Sequence, residues 1–187
     1  FKDLLGSLHR QLEGSPTPRQ QVALWERIAQ LYEEEFLLHA DAAVALESVL
    51  RLDPSRTSAM VSLARLYRTL EQWQDLSDLY QRHAEQAPDA ATRLPILLQR
   101  ARVLAEHVGD LPEAIAVYDQ VAALAPDRID AFEAIADLHE ALGNIGEAIA
   151  ALQNVAERVT EKEAKVRYFM RIARLLESQG ATDDSLE

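Results

Sequence analysis

IDAFEAIADLHEALGNIGEAIAALQNVAERVT, residues 129–160, decides the fold. Phe132, Ile135, Ala136, His139 and Leu142 recur at i, i+3 and i+4 spacing, which gathers them on one face of a helix. After Gly143-Asn144, the residues Ala148, Leu152 and Val155 form a facing stripe on a second helix. Ala136 and Ala148 are small where two helix backbones approach. Phe132 and Leu152 are large where a gap must be filled. One such pair leaves part of its apolar surface wet, and a further pair stacked on it covers that surface.

The same punctuation runs through the chain. Breaks fall at Gly14-Ser15-Pro16, Asp53-Pro54, Ala87-Pro88-Asp89, Gly109-Asp110, Ala125-Pro126-Asp127, Gly143-Asn144, Thr160-Glu161 and Gln179-Gly180. Between them Ala, Leu, Glu, Gln and Arg dominate, and no stretch alternates as a strand would. Ten helices are expected, at 2–13, 18–37, 40–52, 57–71, 73–87, 90–108, 111–125, 129–143, 145–159 and 163–180. Thr17-Pro18-Arg19-Gln20, Asp110 with Glu113, Asn144 with Glu147 and Thr160 with Glu163 have the spacing of a capped helix start.

The chain also repeats itself. Pro54, Pro88 and Pro126 close successive pairs at spacings of 34 and 38, which sum to 72. Ala29, Ala101 and Ala173 lie 72 apart, as do Ala42 and Ala114, Val49 and Val121, Ala64 and Ala136, and Leu66 and Leu138. Arg27-Ile28-Ala29-Gln30-Leu31 returns as Arg171-Ile172-Ala173-Arg174-Leu175. A two-repeat module has been duplicated.

These residues resemble the tetratricopeptide repeat family, whose unit is 34 residues long. Met60, Leu63-Ala64, Tyr67, Tyr80 and Pro88 match in one repeat, and Phe132, Ile135-Ala136, Ala148 and Leu152 in another. Ala42, Leu46, Val49 and Pro54 match on one second (B) helix, and Ala114, Tyr118, Val121 and Pro126 on the next. His139, Leu76, His83 and Thr160 depart from the usual aromatic, small, small and proline residues. The resemblance implies an all-α, right-handed superhelix of about ten antiparallel helices. One solenoid over 1–187 is expected, with four helix pairs at 17–54, 55–88, 89–126 and 127–160. Residues 1–16 read as a B helix lacking its partner. Residues 161–187 read as an unfinished fifth repeat, with Thr182-Asp183-Asp184 opening its second helix.

Composition narrows the function. Of 187 residues, 48% are hydrophobic, and 19 basic against 31 acidic residues give a net charge of −12. An acidic surface does not hold nucleic acid or anionic lipid by charge. Zero Cys removes disulfides and thiolate metal sites. No apolar run reaches the ~18–20 residues of a membrane span. Residue 1 is Phe1, so the chain reads as cut from something longer, and cytoplasm is the default location. No HExxH, Walker loop, GxSxG or GxGxxG occurs. The five His lack metal-ligand spacing; His83 and His139 read as packing residues, Trp73 and Trp25 as interhelical filling, and Glu33-Glu34-Glu35 as a solvated face. No enzyme, cofactor or metal is expected.

In the family, the first (A) helices line a concave groove that takes a peptide or a partner helix. By resemblance, the groove positions are Arg27 on the first A helix, Arg65 and Arg68 on the second and Arg102 on the third. Asp130, Glu133, Asp137 and Glu140 follow on the fourth, and Arg174 on the fifth. Residues 110–157 alone carry ten acids and one base (1 − 10 = −9). Either Arg65, Arg68 and Arg102 hold a partner's carboxylates by forked hydrogen bonds, or they pair with acids of the neighbouring repeat. Val61 and Arg65 do not reproduce the carboxylate clamp for heat-shock chaperone tails. The leading expectation is a non-catalytic protein-interaction scaffold. A regulatory domain of a larger enzyme or transcription regulator is a second reading. Self-assembly of copies through the end helices is a third.

Overall fold

A computed structural model describes residues 1–14 and 16–183, with side chains through Gln179. It is all-α among these residues. Two compact units divide the chain, residues 1–86 and residues from Ala87 onward.

The first unit holds α1 (Lys2–Glu13), α2 (Pro18–Glu34), α3 (His39–Leu52), α4 (Thr57–Thr69) and α5 (Trp73–Gln86). Thr17 starts α2 with the expected capping box. Its side chain accepts from the Gln20 N–H, and the Gln20 side chain accepts from the Thr17 N–H at 2.9 Å. The core runs through Ile28, Ala29, Ala42, Leu46, Val49, Leu63, Ala64, Leu66 and Leu76, all buried. Trp25 is half-buried and meets the edge of His9 of α1 at 6.2 Å. Trp73 and His83 are also half-buried.

The second unit holds α6 (Ala90–Val103), α7 (Leu111–Leu124), α8 (Ile129–Ala141), α9 (Ile145–Arg158) and α10 (Lys162–Asp183). The Asp89 side chain caps α6 through the Thr92 N–H at 2.7 Å, and Asp110 caps α7 through the Glu113 N–H at 3.1 Å. Leu97, Ala101, Ala114, Val117, Val121, Ala136, Ala148, Leu152 and Val155 are buried. Phe132 is half-buried beneath the Arg158 guanidinium, 4.4 Å from its ring centre.

Several expectations need correction. The helix read over 18–37 stops at Glu34, because Leu37 turns left-handed (φ 53°) and the Leu38 N–H reaches back to the Tyr32 carbonyl at 2.8 Å. The run 90–108 is α-helical only to Val103. Leu104–Val108 forms a π-helical turn, and the Gly109 N–H bonds the Leu104 carbonyl at 2.8 Å. Asn144 makes no side-chain cap; its amide lies 3.5 Å from His139 Nδ1. The α10 helix begins at Lys162, after Glu161 rather than Thr160, and passes the expected break at Gln179-Gly180. Leu142, read as core, is 39% exposed. Ser15 of the break at Gly14-Ser15-Pro16 lies outside the described residues; the second helix expected to open at Thr182-Asp183-Asp184 does not start at Thr182 or Asp183, because α10 continues through both, and residues 184–187 lie outside the described residues.

Four register-equivalent residues, Leu37, Glu71, Gly109 and Gly143, all adopt positive φ (53°, 55°, 78° and 75°) where the first helix of a pair ends. On α10, Val166, Phe169, Met170 and Leu176 are exposed. Their counterparts 72 residues earlier include Leu97 and Leu98 of α6 and Leu104 of the π-helical turn, which are buried, with α7 packed on α6.

Candidate peptide-binding cleft

In the first unit, α2 and α4 border an open cleft of about 340 Å³. Its floor is Ala29 and Ala59, with Leu46 of α3 beneath. Alanines here have a packing cause: they let the A helices lie close to α3, and they keep the floor low. The walls are Glu26, Gln30, Glu33 and Glu34 from α2 and Ser58, Ser62 and Arg65 from α4.

Ion pairs frame the cleft. Arg56 forks onto Glu26, with Nε to Oε1 at 2.8 Å and Nη2 to Oε2 at 3.0 Å. Two turns along α2, roughly 10 Å away, Arg65 pairs with Glu33. Between the pairs lie Gln30, Ser58 and Ser62. The two hydroxyls bond no described side chain or backbone group. Gln30 links Arg27 to Glu34, accepting at 2.6 Å and donating at 2.9 Å.

The expected groove residues of this unit separate. Arg65 lines the cleft. Arg68 donates to the Tyr80 hydroxyl and lies 5.9 Å from the centre of its ring. Burial pushes the Tyr80 pKa up, against the opposing pull of Arg68. Arg27 lines a second notch, of about 620 Å³, with Leu8, Gln11, Gly14 and Pro16 on the α1 side and Gln20, Ala23 and Leu24 on α2.

In the second unit the acids of α8 already have partners. Asp130 accepts from Arg128 at 2.9 and 2.6 Å, which holds its carboxyl below the usual range. Glu133 accepts from the Tyr168 hydroxyl. Arg171 of α10 pairs with Asp137 and Glu140, each at 2.6 Å. Arg102 is exposed beside Tyr118, whose pKa is raised by burial and lowered by Arg102. Arg174 is exposed and has no partner among the described residues. Glu26, Arg56, Ser58 and Tyr168 were not among the expected site residues. A weak signal for the pairs existed in the sequence: Arg56 follows Glu26 by 30 residues, and Arg171 follows Asp137 by 34.

A family model, the tetratricopeptide repeat, matches residues 59–94. Similar solved structures extend the likeness over most of the chain. A tetratricopeptide repeat protein from Parabacteroides merdae ATCC 43184 is 19% identical, with 89% of this chain and 63% of that one covered and a TM-score of 0.55. YrrB, described as a TPR protein with an unusual peptide-binding site, is 13% identical over 92% of this chain and 84% of its own, at 0.54. MamA is 20% identical over 88% of this chain and 90% of its own, at 0.51.

The chain folds as a tetratricopeptide-repeat protein.

No curated protein matches this sequence. No helix among the described residues is long and apolar enough to cross a membrane. No cluster of three or more His, Asp or Glu among them could hold a metal ion.

Proposed function

We propose that this TPR chain is a non-catalytic protein-interaction module that takes an extended peptide of a partner in the cleft between α2 and α4. The observation that carries the reading is the window of Gln30, Ser58 and Ser62 over Ala29 and Ala59. Neutral hydrogen-bonding side chains above a low floor suit the amides and carbonyls of a main chain, which repeat along any peptide. Specificity then falls to the ion pairs at the two ends. Three carboxylates against one arginine line the cleft, so a peptide of neutral or positive charge is favoured over an acidic one. A partner carboxylate at Arg65 would have to displace Glu33. The description of YrrB as peptide-binding supports the choice of ligand class.

The test is a peptide-display selection on the whole chain, followed by titration of the enriched sequences. Ser62→Trp fills the cleft from a half-buried polar position, which leaves the helical signal intact. Enriched peptides should lose binding at least tenfold on this variant. A selection that yields no sequence, or peptides that bind Ser62→Trp as well as the original, overturns the proposal.

A further inference from the structure

On the B-helix side of the first unit, α3, α4 and α5 enclose a pocket of about 190 Å³, and every residue lining it lies between Leu50 and Gln86. Leu50, Met60 and Leu79 form an apolar wall, with Leu50 and Leu79 buried. Arg51, Arg82 and His83 line it as well, and no acid does. Arg82 is forked onto Glu47. Arg51 lies near enough to Glu47 to lower its pKa, but it makes no hydrogen bond or ion pair among the described residues. Burial lowers the His83 pKa, so at neutral pH its ring is an uncharged hydrogen-bonding group.

Seventy-two residues on, the second unit closes the same place with its own side chains. Arg158, the counterpart of Gln86, lies 4.4 Å from the ring centre of Phe132, the counterpart of Met60. It also donates to the Pro126 carbonyl at 2.8 Å, where the first unit has Pro54. Ala123 and Val155 stand where the first unit has Arg51 and His83. The first unit thus lacks the cover and carries the charge. Gln86 makes no hydrogen bond among the described residues.

We infer that this pocket takes the carboxyl-terminal residue of a partner polypeptide, with an apolar side chain against Leu50, Met60 and Leu79 and its α-carboxylate on Arg51. Charge complementarity sets the occupant. In a chain of net charge −12, two arginines and no acid line this pocket, so the local field opposes the global one. A guanidinium grips a carboxylate through paired hydrogen bonds. The space suits one side chain rather than a helix. An apolar side chain and a carboxylate meet on one residue at a chain end; an internal aspartate or glutamate brings the charge but leaves the apolar wall unfilled. The inference is independent of the α2/α4 cleft.

The probe is an acetylated tetrapeptide, Gly-Ser-Gly-Leu with a free carboxyl, titrated into the whole chain while backbone amide shifts are followed. Saturable shifts centred on Leu50, Arg51, Met60 and His83 are expected. Affinity should fall at least tenfold when the peptide ends in an amide, when its leucine is replaced by glycine, and on Arg51→Gln in the protein. Met60→Phe with Gln86→Arg gives the first unit the cover seen in the second; it should weaken binding at least tenfold and leave the helical signal intact. Ser62→Trp should leave binding unchanged, which separates failure here from failure of the cleft. The inference is overturned by absence of binding at millimolar peptide, or by equal binding of the amide, of the glycine peptide or of an internal-glutamate peptide ending in an amide. Equal binding to Arg51→Gln or to the covered variant, or loss on Ser62→Trp, overturns it as well.

Discussion

Glu71 and Gly143 turn the backbone through the same left-handed conformation 72 residues apart, at φ 55° and 75°. The Gln72 N–H bonds the Tyr67 carbonyl and the Asn144 N–H bonds the His139 carbonyl, both at 2.9 Å. The hydrogen-bonded end is the same; only the side chain differs. A Cβ in this region meets the neighbouring carbonyl at a cost of roughly 1–2 kcal/mol, which glycine avoids. Glu71→Gly should therefore stabilise the protein by about 1 kcal/mol, and Gly143→Glu should cost a similar amount. Urea midpoints of the two variants check both signs. A destabilised Glu71→Gly would show that the Glu71 side chain contributes more than its backbone strain.

Leu76 and Ala148 fill the same place on their B helices, and both are fully buried. Each is matched to its own neighbours, so neither can take the other's size. Leu76→Ala should cost about 2–5 kcal/mol by leaving a cavity. Ala148→Leu should cost about 1–3 kcal/mol by overpacking. Thermal melts of the two single variants would reveal any site that tolerates the exchange.

Phe169 and Leu97 are also equivalents, at 52% and 2% exposure. Phe169→Glu should change stability by less than about 0.5 kcal/mol, as surface changes do. Leu97→Glu buries an unpaired carboxylate beneath α7 and should disrupt the second unit. Circular dichroism and a denaturant titration distinguish these outcomes.

Glu47 ties three helices of the first unit together. It accepts from Arg82 of α5 at 2.7 and 3.1 Å and from the Tyr67 hydroxyl of α4 at 2.7 Å. Burial pushes the Glu47 pKa up, but the Arg82 and Tyr67 hydrogen bonds outweigh it and bring the carboxyl below its ordinary 4.5. A depressed folded pKa means that the stabilisation is complete above 4.5 and disappears as pH falls through the lower, folded value. The stability difference between wild type and Glu47→Gln should be constant from neutral pH down to about 5 and should shrink below pH 4.5. A difference that stays level to pH 3 would contradict the pairing.

Helix positions and register were legible because they are written in repeated local signals. Pro54, Pro88 and Pro126 close helix pairs, Thr17 with Gln20 caps α2, and Ala42 with Ala114 and Ala64 with Ala136 are buried 72 residues apart, whereas Ala173 is exposed where Ala29 and Ala101 are buried. Leu37 hid the end of α2, read three residues too long, since leucine does not favour a left-handed turn, whereas the end at Glu71 was placed within two residues. Asn144 had capping chemistry but turned its amide to His139. The site was legible only in part. Resemblance placed Arg65 and Arg68 on one groove, yet a free rotamer and a nearby Tyr80 sent Arg68 elsewhere. Which acid an arginine finds depends on distances between helices, and a one-dimensional pattern does not carry those.

Within each unit the extensive packing joins helices consecutive in the chain. A duplicated stretch spliced in at a turn would thus meet ready-made surfaces on both sides, with no remote contact to rebuild. The 72-residue echo is what such a lineage leaves behind: length could grow by copying, while the charges at places such as Arg65 and Asp137 drifted to opposite signs.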